Sequence, residues 1–231
     1  MLPLRLHILA IVLVSICGCG DGSSANLPGN PGPSKRGTYA YVEDYRTIRF
    51  SDDAESNVDP VDRIADLTFT TTDGVAQRVR ELAGQKNIVL VVTRGFAGQV
   101  CVYCSTQTSM YVNNYARIAE RDAEVIVVYP LEEMDGQGTL ERFIKSVRAK
   151  LEDERHKSEP IPFPLVLDPA LKGVNELGIR ADLAKPSTYI LDKQGRVRFA
   201  YVGQKDSDRP SISAVLRQLD KLKAAEPPAQ P

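Results

Sequence analysis

Two cysteines separated by two residues, Cys101 and Cys104, are the side chains in this sequence whose spacing is best suited to chemistry. Residues three apart on a helix lie about 5 to 6 Å from each other, within the distance that a disulfide spans. The pair can therefore open and close a disulfide with little movement of the backbone. The chemistry indicated is thiol–disulfide exchange, in which a thiolate attacks a disulfide and a second thiol resolves the mixed disulfide.

The position of the pair predicts different roles for the two sulfurs. Cys101 follows a predicted buried strand and a glycine-containing turn at 94–98, and it stands at the start of a predicted helix. Unpaired amides and the helix dipole there favour a thiolate, and the pKa of such cysteines falls from about 8.5 to roughly 3.5–7.5. We therefore expect Cys101 to be a solvent-reachable nucleophile at neutral pH. Cys104, one turn further in, is expected to be shielded and to resolve the mixed disulfide.

Other uses of these cysteines fit the sequence less well. A structural disulfide between them would close a very small loop and constrain the unfolded chain little. A zinc site needs about four ligands, and beyond this pair the chain after the N-terminal segment offers only His156. The same shortage of histidine argues against Cys–His nucleophilic catalysis. The sequence therefore predicts no metal and no cofactor other than a redox-active disulfide between Cys101 and Cys104.

The N-terminal segment is typical of a secretory signal that ends at a lipid-attachment cysteine. Residues 1–18 carry a basic side chain, an apolar run and then small residues. Cys19 closes the sequence ICGC, which resembles a bacterial lipobox with a branched residue at −3 and glycine at −1. Secretion without a lipid and an uncleaved anchor helix are the alternatives. We expect a membrane-anchored, extracytoplasmic lipoprotein, on the periplasmic side or at the cell surface, where disulfides can persist.

Charge and hydropathy exclude two classes of protein. The 29 Lys and Arg against 30 Asp and Glu give a net charge of −1, so the basic field that attracts nucleic acid is missing. After the first 17 or so residues, no stretch approaches the roughly 18 to 20 apolar residues that a membrane-spanning helix needs. The body of the chain is therefore expected to be globular and to bind no nucleic acid.

Composition divides the chain into five segments. They are a signal peptide at 1–18, a lipid-anchored flexible linker at 19–37, an extension of unclear structure at 38–62, a folded domain at 63–224 and a disordered tail at 225–231. Buried or alternating strands are predicted at 67–71, 87–93, 124–129, 163–168, 188–191 and 197–202. Helices are predicted at 75–83, from the cysteine pair to about 121, at 139–155, at 171–177 and from about 210 to 222. This alternation indicates the α/β class, with a mixed sheet covered by helices on both faces.

The segment from about 63 to 222 resembles the redoxin or AhpC/TSA (alkyl hydroperoxide reductase, thiol-specific antioxidant) branch of the thioredoxin-fold superfamily, including its membrane-tethered thioredoxin-like relatives. The resemblance rests on residues 64–74, on NIVLVVTRGFAGQVCVYC at 87–104, on FPLVLDPALKGVNELGIR at 163–180 and on KPSTYILDKQGRVRFAYVG at 185–203. It implies a thioredoxin-like fold, in which helices flank a central mixed β-sheet on both faces, and an oxidoreductase activity.

The resemblance also implies roles for residues outside the cysteine pair. Pro186 matches the position of the family's cis-proline, which would face the cysteines and present backbone to a substrate. Lys185 and Phe96 would belong to the same docking surface. Arg94 and Arg180 are the candidate cations for stabilising the thiolate, whereas the alternative is that both are solvated surface groups.

The sequence departs from the peroxiredoxin pattern Pro-x-x-x-Thr-x-x-Cys. Counting back from Cys101, Gly98 and Arg94 stand where that pattern has threonine and proline. Counting back from Cys104, Cys101 and Ala97 stand there instead. Neither cysteine therefore has the residues that cradle a peroxide. The chain also has no tryptophan, which commonly precedes the first cysteine of thioredoxin-like enzymes.

Three functions fit these observations. The first is an extracytoplasmic thiol–disulfide oxidoreductase that acts on protein or small-molecule thiols and disulfides, with a membrane electron donor as a further partner. The alternative is a thiol-dependent peroxidase, an antioxidant in which Cys101 becomes a sulfenic acid and Cys104 condenses with it. The third is an interaction module with an inert disulfide. The direction of electron flow does not follow from the sequence.

Overall fold

Seven strands form one sheet in the computed structural model, which describes residues 44–59, 61, 63–96, 98–132 and 136–225. The strands are β1 (Thr68–Thr70), β2 (Ala76–Arg78), β3 (Asn87–Val92), β4 (Ala123–Leu131), β5 (Leu165–Pro169), β6 (Ser187–Leu191) and β7 (Val197–Val202). Their order across the sheet is β2-β1-β5-β4-β3-β6-β7. The pairs β3–β4 and β4–β5 are parallel, and the other pairs are antiparallel.

Helices cover both faces of the sheet. They are α1 (Val79–Ala83), α2 (Val102–Asn113), α3 (Tyr115–Ala119), α4 (Gly136–Arg148), α5 (Glu154–Ser158), α6 (Lys172–Glu176) and α7 (Ile212–Ala225). Val89 and Val91 of β3 belong to a core cluster with side chains of α2, α4 and α7, whereas Ile88 and Leu90 belong to a second cluster with side chains of α1 and α6. This two-residue alternation shows that β3 is buried on both faces, as its unbroken apolar run predicts. The α/β class and thioredoxin-like architecture predicted from the sequence are confirmed.

One predicted helix is partly a strand. The sequence predicts a helix over 75–83, but residues Ala76–Arg78 form β2 and pair with β1 in a hairpin. The turn at Asp73-Gly74 reverses the chain, with Gly74 at a φ of 88° that favours glycine. Only Val79–Ala83 is helical, because Ala76–Arg78 pair with β1 instead.

The helix predicted at 139–155 is also shorter than expected. It spans Gly136–Arg148 and is followed by a separate short helix, Glu154–Ser158. Asp153 accepts a hydrogen bond from the backbone N–H of Arg155 at 2.9 Å and so caps the second helix. An N-cap residue has non-helical backbone angles, which interrupts the predicted helix at this point.

The described part of the N-terminal extension, residues 44–59, packs along the outer edge of the sheet. The Asn57 side chain donates to the carbonyl of Val202 and accepts from its N–H, while the Asn57 N–H donates to the Ala200 carbonyl, all within 2.8–3.0 Å. Ser51 forms an isolated parallel bridge with Pro210, next to the start of α7. The segment therefore covers the free edge of β7, which would otherwise offer unpaired backbone groups.

Several sequence predictions fall outside the described residues. They concern the signal peptide at 1–18, the linker at 19–37 with its lipid-attachment residue Cys19, and the tail beyond Ala225, which is the last residue of α7. Within the described part of the chain, no helix is both long enough and apolar enough to cross a bilayer.

Candidate active site

The loop after β3 carries the cysteine pair to the sheet edge where the parallel strands β3 and β4 end. Thr93 fixes the beginning of this loop, since its N–H and its hydroxyl both donate to the Val128 carbonyl of β4 at 3.0 Å. Gly95 follows with a φ of 96°, and a side chain at this position would collide with the Pro130 carbonyl. The loop therefore needs a glycine here to pass close to β4.

The two thiols lie within one turn at the N-terminus of α2, as their spacing predicts. Cys101 is the N-cap residue of the helix, and its Sγ accepts a hydrogen bond from the backbone N–H of Cys104 at 3.4 Å. Both cysteines are free thiols in this structure. They are also buried, with exposed fractions of 1% for Cys101 and 0% for Cys104. The prediction that Cys101 is solvent-reachable is therefore wrong for this conformation, because Phe96, Val100 and Tyr103 pack against the same cluster.

A buried arginine completes the site. Arg209 lies 105 residues beyond Cys104 in the chain, and its Nη2 donates to Cys104 Sγ at 3.4 Å. Its Nη1 donates to Gln107 Oε1 at 2.7 Å, and its Nε donates to the Asp206 carbonyl at 2.7 Å. The guanidinium is thereby held against the second cysteine by α2 on one side and by the loop before α7 on the other.

The pKa order of the two thiols is the reverse of the predicted one. The hydrogen bond with Cys104 and burial raise the pKa of Cys101 well above its ordinary value. Burial alone would also raise the pKa of Cys104, but the hydrogen bond from Cys101 and the charge of Arg209 outweigh it and lower that pKa to about 6. A full positive charge beside Cys104 outweighs the single amide dipole that the helix N-terminus offers Cys101. The thiolate therefore belongs to Cys104 in the reduced site.

The side chains of the two arginines predicted to stabilise the thiolate pair with carboxylates instead. The Arg94 guanidinium is 3.2 Å from the Asp206 carboxylate, although the Arg94 backbone N–H contributes to lowering the pKa of Cys104. The Arg180 guanidinium is 3.6 Å from Glu132, and neither cysteine has it among the charges that shift its pKa. Arg209, and neither of these two residues, donates its side chain to Cys104 Sγ.

The predicted docking residues Lys185 and Pro186 line one cleft with Arg94. The cleft has a volume of about 370 Å³, and its other wall is the loop from Gly203 to Asp206. The Gly203 N–H donates to the Pro186 carbonyl at 2.8 Å, which fixes the loop against the proline. The cleft adjoins the site through Asp206, which lines the cleft and whose carbonyl accepts a hydrogen bond from Arg209.

Two further expectations about the docking surface are corrected. The peptide bonds of the described residues are all trans, including the one before Pro186, so the expected cis bond is not seen. The trans isomer is favoured by about 0.5–1 kcal/mol at X–Pro bonds, and here the surrounding loop accommodates it. Phe96 does not line the cleft with Pro186. Its half-buried ring lies under the Arg142 guanidinium at 5.1 Å, and its N–H donates to the Pro130 carbonyl.

Sequence analysis missed Arg209 and Gln107. Arg209 directly precedes Pro210, two residues before α7, and its neighbours in the chain do not distinguish it from a solvated arginine. The sequence of α2 did carry a signal, because residues 105–109 are all polar and all buried in the structure. A buried polar helix needs internal hydrogen-bond partners, and Gln107 supplies one of them to Arg209.

The fold and the paired thiols define a thioredoxin-like protein with cysteine redox chemistry. The chain belongs to the AhpC/TSA family, whose family model matches residues 60–200. The protein is therefore an oxidoreductase with a thiol-dependent redox function, and members of this family need no cofactor beyond their cysteines. In the described part of the chain, no group of three or more His, Cys, Asp or Glu residues is placed to hold a metal ion.

Solved structures support the fold assignment. Peroxidoxin BcpB from Mycobacterium tuberculosis is 16% identical with a TM-score of 0.52, and the match covers 75% of this chain and 99% of that one. Peroxiredoxin 6 of Arenicola marina is 15% identical with a TM-score of 0.55, covering 77% and 79%. The yeast mitochondrial 1-Cys peroxiredoxin is 16% identical with a TM-score of 0.54, covering 77% and 83%. Comparison of the sequence with curated proteins gives no significant match.

Proposed function

We propose that this protein is an extracytoplasmic, membrane-tethered thiol–disulfide oxidoreductase that cycles between a Cys101/Cys104 dithiol and a disulfide. The observation that carries this proposal is the placement of both thiols in one helical turn, in hydrogen-bond contact with each other. Two sulfurs so placed can exchange a covalent bond without unfolding the helix. A cation beside one of them supports the thiolate that the exchange requires.

The two sulfurs take different parts in the exchange. In the disulfide form, a substrate thiolate attacks Cys101 Sγ, the bond between Cys101 and Cys104 breaks, and its electron pair leaves on Cys104. Arg209 makes Cys104 the better leaving group, since a thiol of lower pKa leaves faster. A second substrate thiolate then attacks the substrate sulfur of the mixed disulfide, which releases reduced Cys101 and the oxidised substrate. In the opposite direction, Cys101 attacks a substrate disulfide as its proton passes to Cys104, and the first substrate sulfur leaves as a thiolate that takes this proton. The Cys104 thiolate then attacks Cys101 Sγ, which forms the protein disulfide and releases the second substrate sulfur as a thiolate.

Access to Cys101 requires movement of the loop before α2. Cys101 is buried, whereas Gly98 and Gln99, three and two residues before it, are exposed. Exposed loop residues have few contacts to break, so opening there costs less than unfolding part of the core. A substrate held in the cleft of Lys185 and Pro186 would then meet the cysteine from the side of Arg94. The charged lining of the cleft suits a polar segment of an extended chain.

The exchange is tested with the purified mature chain in its reduced and oxidised forms. Each form is mixed with a peptide dithiol or its disulfide, and the mixed disulfides are trapped with acid and identified by mass. Cys104→Ser should accumulate a mixed disulfide on Cys101, and Cys101→Ser should accumulate much less. Equal trapping on Cys104, or no exchange by the wild type, would contradict the proposed roles. Thr108→Ser, on the same helix, is the matched control and should behave as wild type.

The proposed location has a separate test. Cys19 as the lipid-attachment residue predicts that cells fed a labelled fatty acid incorporate the label into wild-type protein but not into Cys19→Ser. Cys17→Ser should keep the label, because Ile16 before Cys17 fits the −1 position poorly. Label in Cys19→Ser, or cleavage products that retain residues 1–18, would overturn the anchor.

A peroxidase is the second candidate, and one observation favours it. The pKa of Cys104 falls to about 6 despite burial, so Cys104 carries a thiolate that can attack a peroxide at neutral pH. The thiolate would take one peroxide oxygen as a sulfenic acid and release an alcohol or water, and the Cys101 thiol would then condense with it and release water. Rapid consumption of peroxide by the reduced chain, lost in Cys104→Ser, would support this function. Slow consumption alongside fast disulfide exchange would support the first.

A further inference from the structure

Arg209 is a buried cation whose contacts include no carboxylate. It is 1% exposed, and the carbonyl of Asp206, the amide oxygen of Gln107 and the sulfur of Cys104 accept its three hydrogen bonds. The Arg209 side chain forms no other hydrogen bond and no ion pair with a described residue, and among these three acceptors only the sulfur can carry a negative charge. Burying an unpaired charge is costly, so the guanidinium has a strong preference for a thiolate at Cys104.

The neighbouring carboxylates cannot replace the thiolate. The Asp206 carboxylate is directed at the Arg94 guanidinium, 3.2 Å away. The Asp208 carboxylate accepts from the Tyr201 hydroxyl at 2.6 Å and from the Gln204 N–H at 2.8 Å. Both nearby carboxylates in the chain are therefore engaged by partners other than Arg209. The counter-charge of Arg209 depends on the redox state of Cys104.

The arginine is also held in place on its backbone side. The Arg209 carbonyl accepts from the Ser51 N–H at 2.8 Å, and Pro210 forms the bridge with Ser51. The loop that carries Arg209 is fixed at its other end by the bond between Gly203 and Pro186. The guanidinium consequently has little freedom to turn toward solvent when its counter-charge disappears.

We infer that Arg209 makes the Cys101–Cys104 couple oxidising, so that the protein acts as a disulfide donor to dithiol substrates. Formation of the disulfide removes the thiolate and leaves a buried cation without a counter-charge, whereas reduction restores the pair. Stabilisation of the reduced form raises the reduction potential of a dithiol couple. In the net reaction, the protein disulfide and two substrate thiols give the protein dithiol and a substrate disulfide. This inference rests on the proposed exchange function and assigns its direction.

The test is the equilibrium between the cysteine pair and glutathione, measured on the full mature chain by alkylation of the free thiols. Relative to wild type, Arg209→Gln should shift this equilibrium at least tenfold toward the disulfide, which corresponds to about 30 mV for a two-electron couple. Arg209→Lys keeps the charge and should shift it less. Arg117→Gln, at an exposed arginine bonded to Asn114, is the matched control and should leave it unchanged.

A second variant keeps the arginine and changes only its counter-charge. Gln107→Glu places a carboxylate at the position that already receives the Nη1 hydrogen bond. The guanidinium then has a partner in both redox states, so the equilibrium should also shift toward the disulfide, and the ultraviolet thiolate signal of the reduced protein should titrate at higher pH. An unchanged equilibrium in both Arg209→Gln and Gln107→Glu would overturn the inference, as would a wild-type couple more reducing than glutathione.

The test of the redox direction can fail independently of the test of the proposed exchange function. The glutathione equilibrium reports on the chain's own cysteines and does not require a protein substrate. If wild type fails to exchange with peptide dithiols and yet shows the predicted shifts, the proposed function fails and the role of Arg209 stands. If exchange is rapid and the shifts are absent, the proposed function stands and the inferred direction fails.

Discussion

The charge on Cys104 should make the stability of the reduced protein depend on pH in a defined window. The ordinary pKa of this thiol is 9.0, and the hydrogen bond from Cys101 and the charge of Arg209 lower it to about 6 in the fold. The unfolded chain therefore binds one more proton than the folded chain between these two values, so stability rises with pH in that range. The contribution is fully present above pH 9 and is lost as pH falls through about 6.

The expected magnitude follows from the size of the pKa shift. Each unit of pKa is worth about 1.4 kcal/mol, so the whole effect approaches about 4 kcal/mol. Between about pH 6 and pH 8, one thiol with these two pKa values adds about 2 kcal/mol to the free energy of unfolding. The raised pKa of Cys101 does not disturb this window, because that thiol stays protonated in both states below its ordinary value of 9.0.

The assay is denaturant unfolding of the protein at several pH values, with a phosphine keeping the cysteines reduced. Wild type should gain about 2 kcal/mol across the window relative to Cys104→Ser, so that all other titrating groups cancel in the comparison. The disulfide form has no ionisable thiol at this position. Its free energy of unfolding should therefore lack this rise with pH, as that of Cys104→Ser does. A reduced wild type whose stability follows that of Cys104→Ser at every pH would refute the assignment of the thiolate to Cys104.

Three further predictions concern the elements that position the site. Gly95→Ala should destabilise the protein by more than about 1 kcal/mol, because it combines a φ of 96° with a collision against β4. Asn57→Ala should cost about 1–3 kcal/mol, since it removes both side-chain hydrogen bonds to β7. Asp168→Ala should cost a similar amount, because its buried carboxylate accepts the N–H groups of Gly173 and Val174 at the start of α6. Urea unfolding at fixed pH measures all three losses.

Matched variants and opposing results define these three tests. Gly74→Ala has the same sign of φ but no atom near the added carbon, so a loss equal to that of Gly95→Ala would contradict the collision. Glu55→Ala alters an exposed residue of the same N-terminal segment, and it should lose less than Asn57→Ala. Asp153→Ala removes the exposed N-cap hydrogen bond of α5. A greater loss of stability there than in Asp168→Ala would contradict the importance of the buried Asp168 carboxylate.

Much of the fold followed from local pattern. The short β-branched apolar run at β3 and the alternation at β1 both favour strands, and both are strands in the structure. The hairpin of β6 and β7 has its turn at Asp192 to Gly195 as predicted. The error at 75–83 has a physical cause, because helical spacing in nine residues is too short to exclude a strand that finds a partner. Residues 76–78 form a strand because β1 pairs with them in the folded sheet, and their local sequence permits this pairing but does not require it.

In the candidate site too, some features follow from the local sequence and others from residues far apart in the chain. The cysteine spacing and the preceding strand and glycine turn predicted two thiols at the N-terminus of a helix, and that placement depends on residues close together in the chain. The identity of the thiolate depends on Arg209, which approaches Cys104 from 105 residues away. The helix dipole is the only electrostatic effect that residues close in the chain provide, and it favours the low pKa at Cys101.

The sequence by itself determined the kind of chemistry, the helix that bears it and the buried strands beneath, because spacing and periodicity act over a few residues. The tertiary structure alone decided which sulfur holds the charge, how deeply both are buried, and that residues 44–59 close the edge of β7. The reason is that electrostatic stabilisation and burial depend on distance in space, and folding brings Ser51, Cys104 and Arg209 together from three separate parts of the chain.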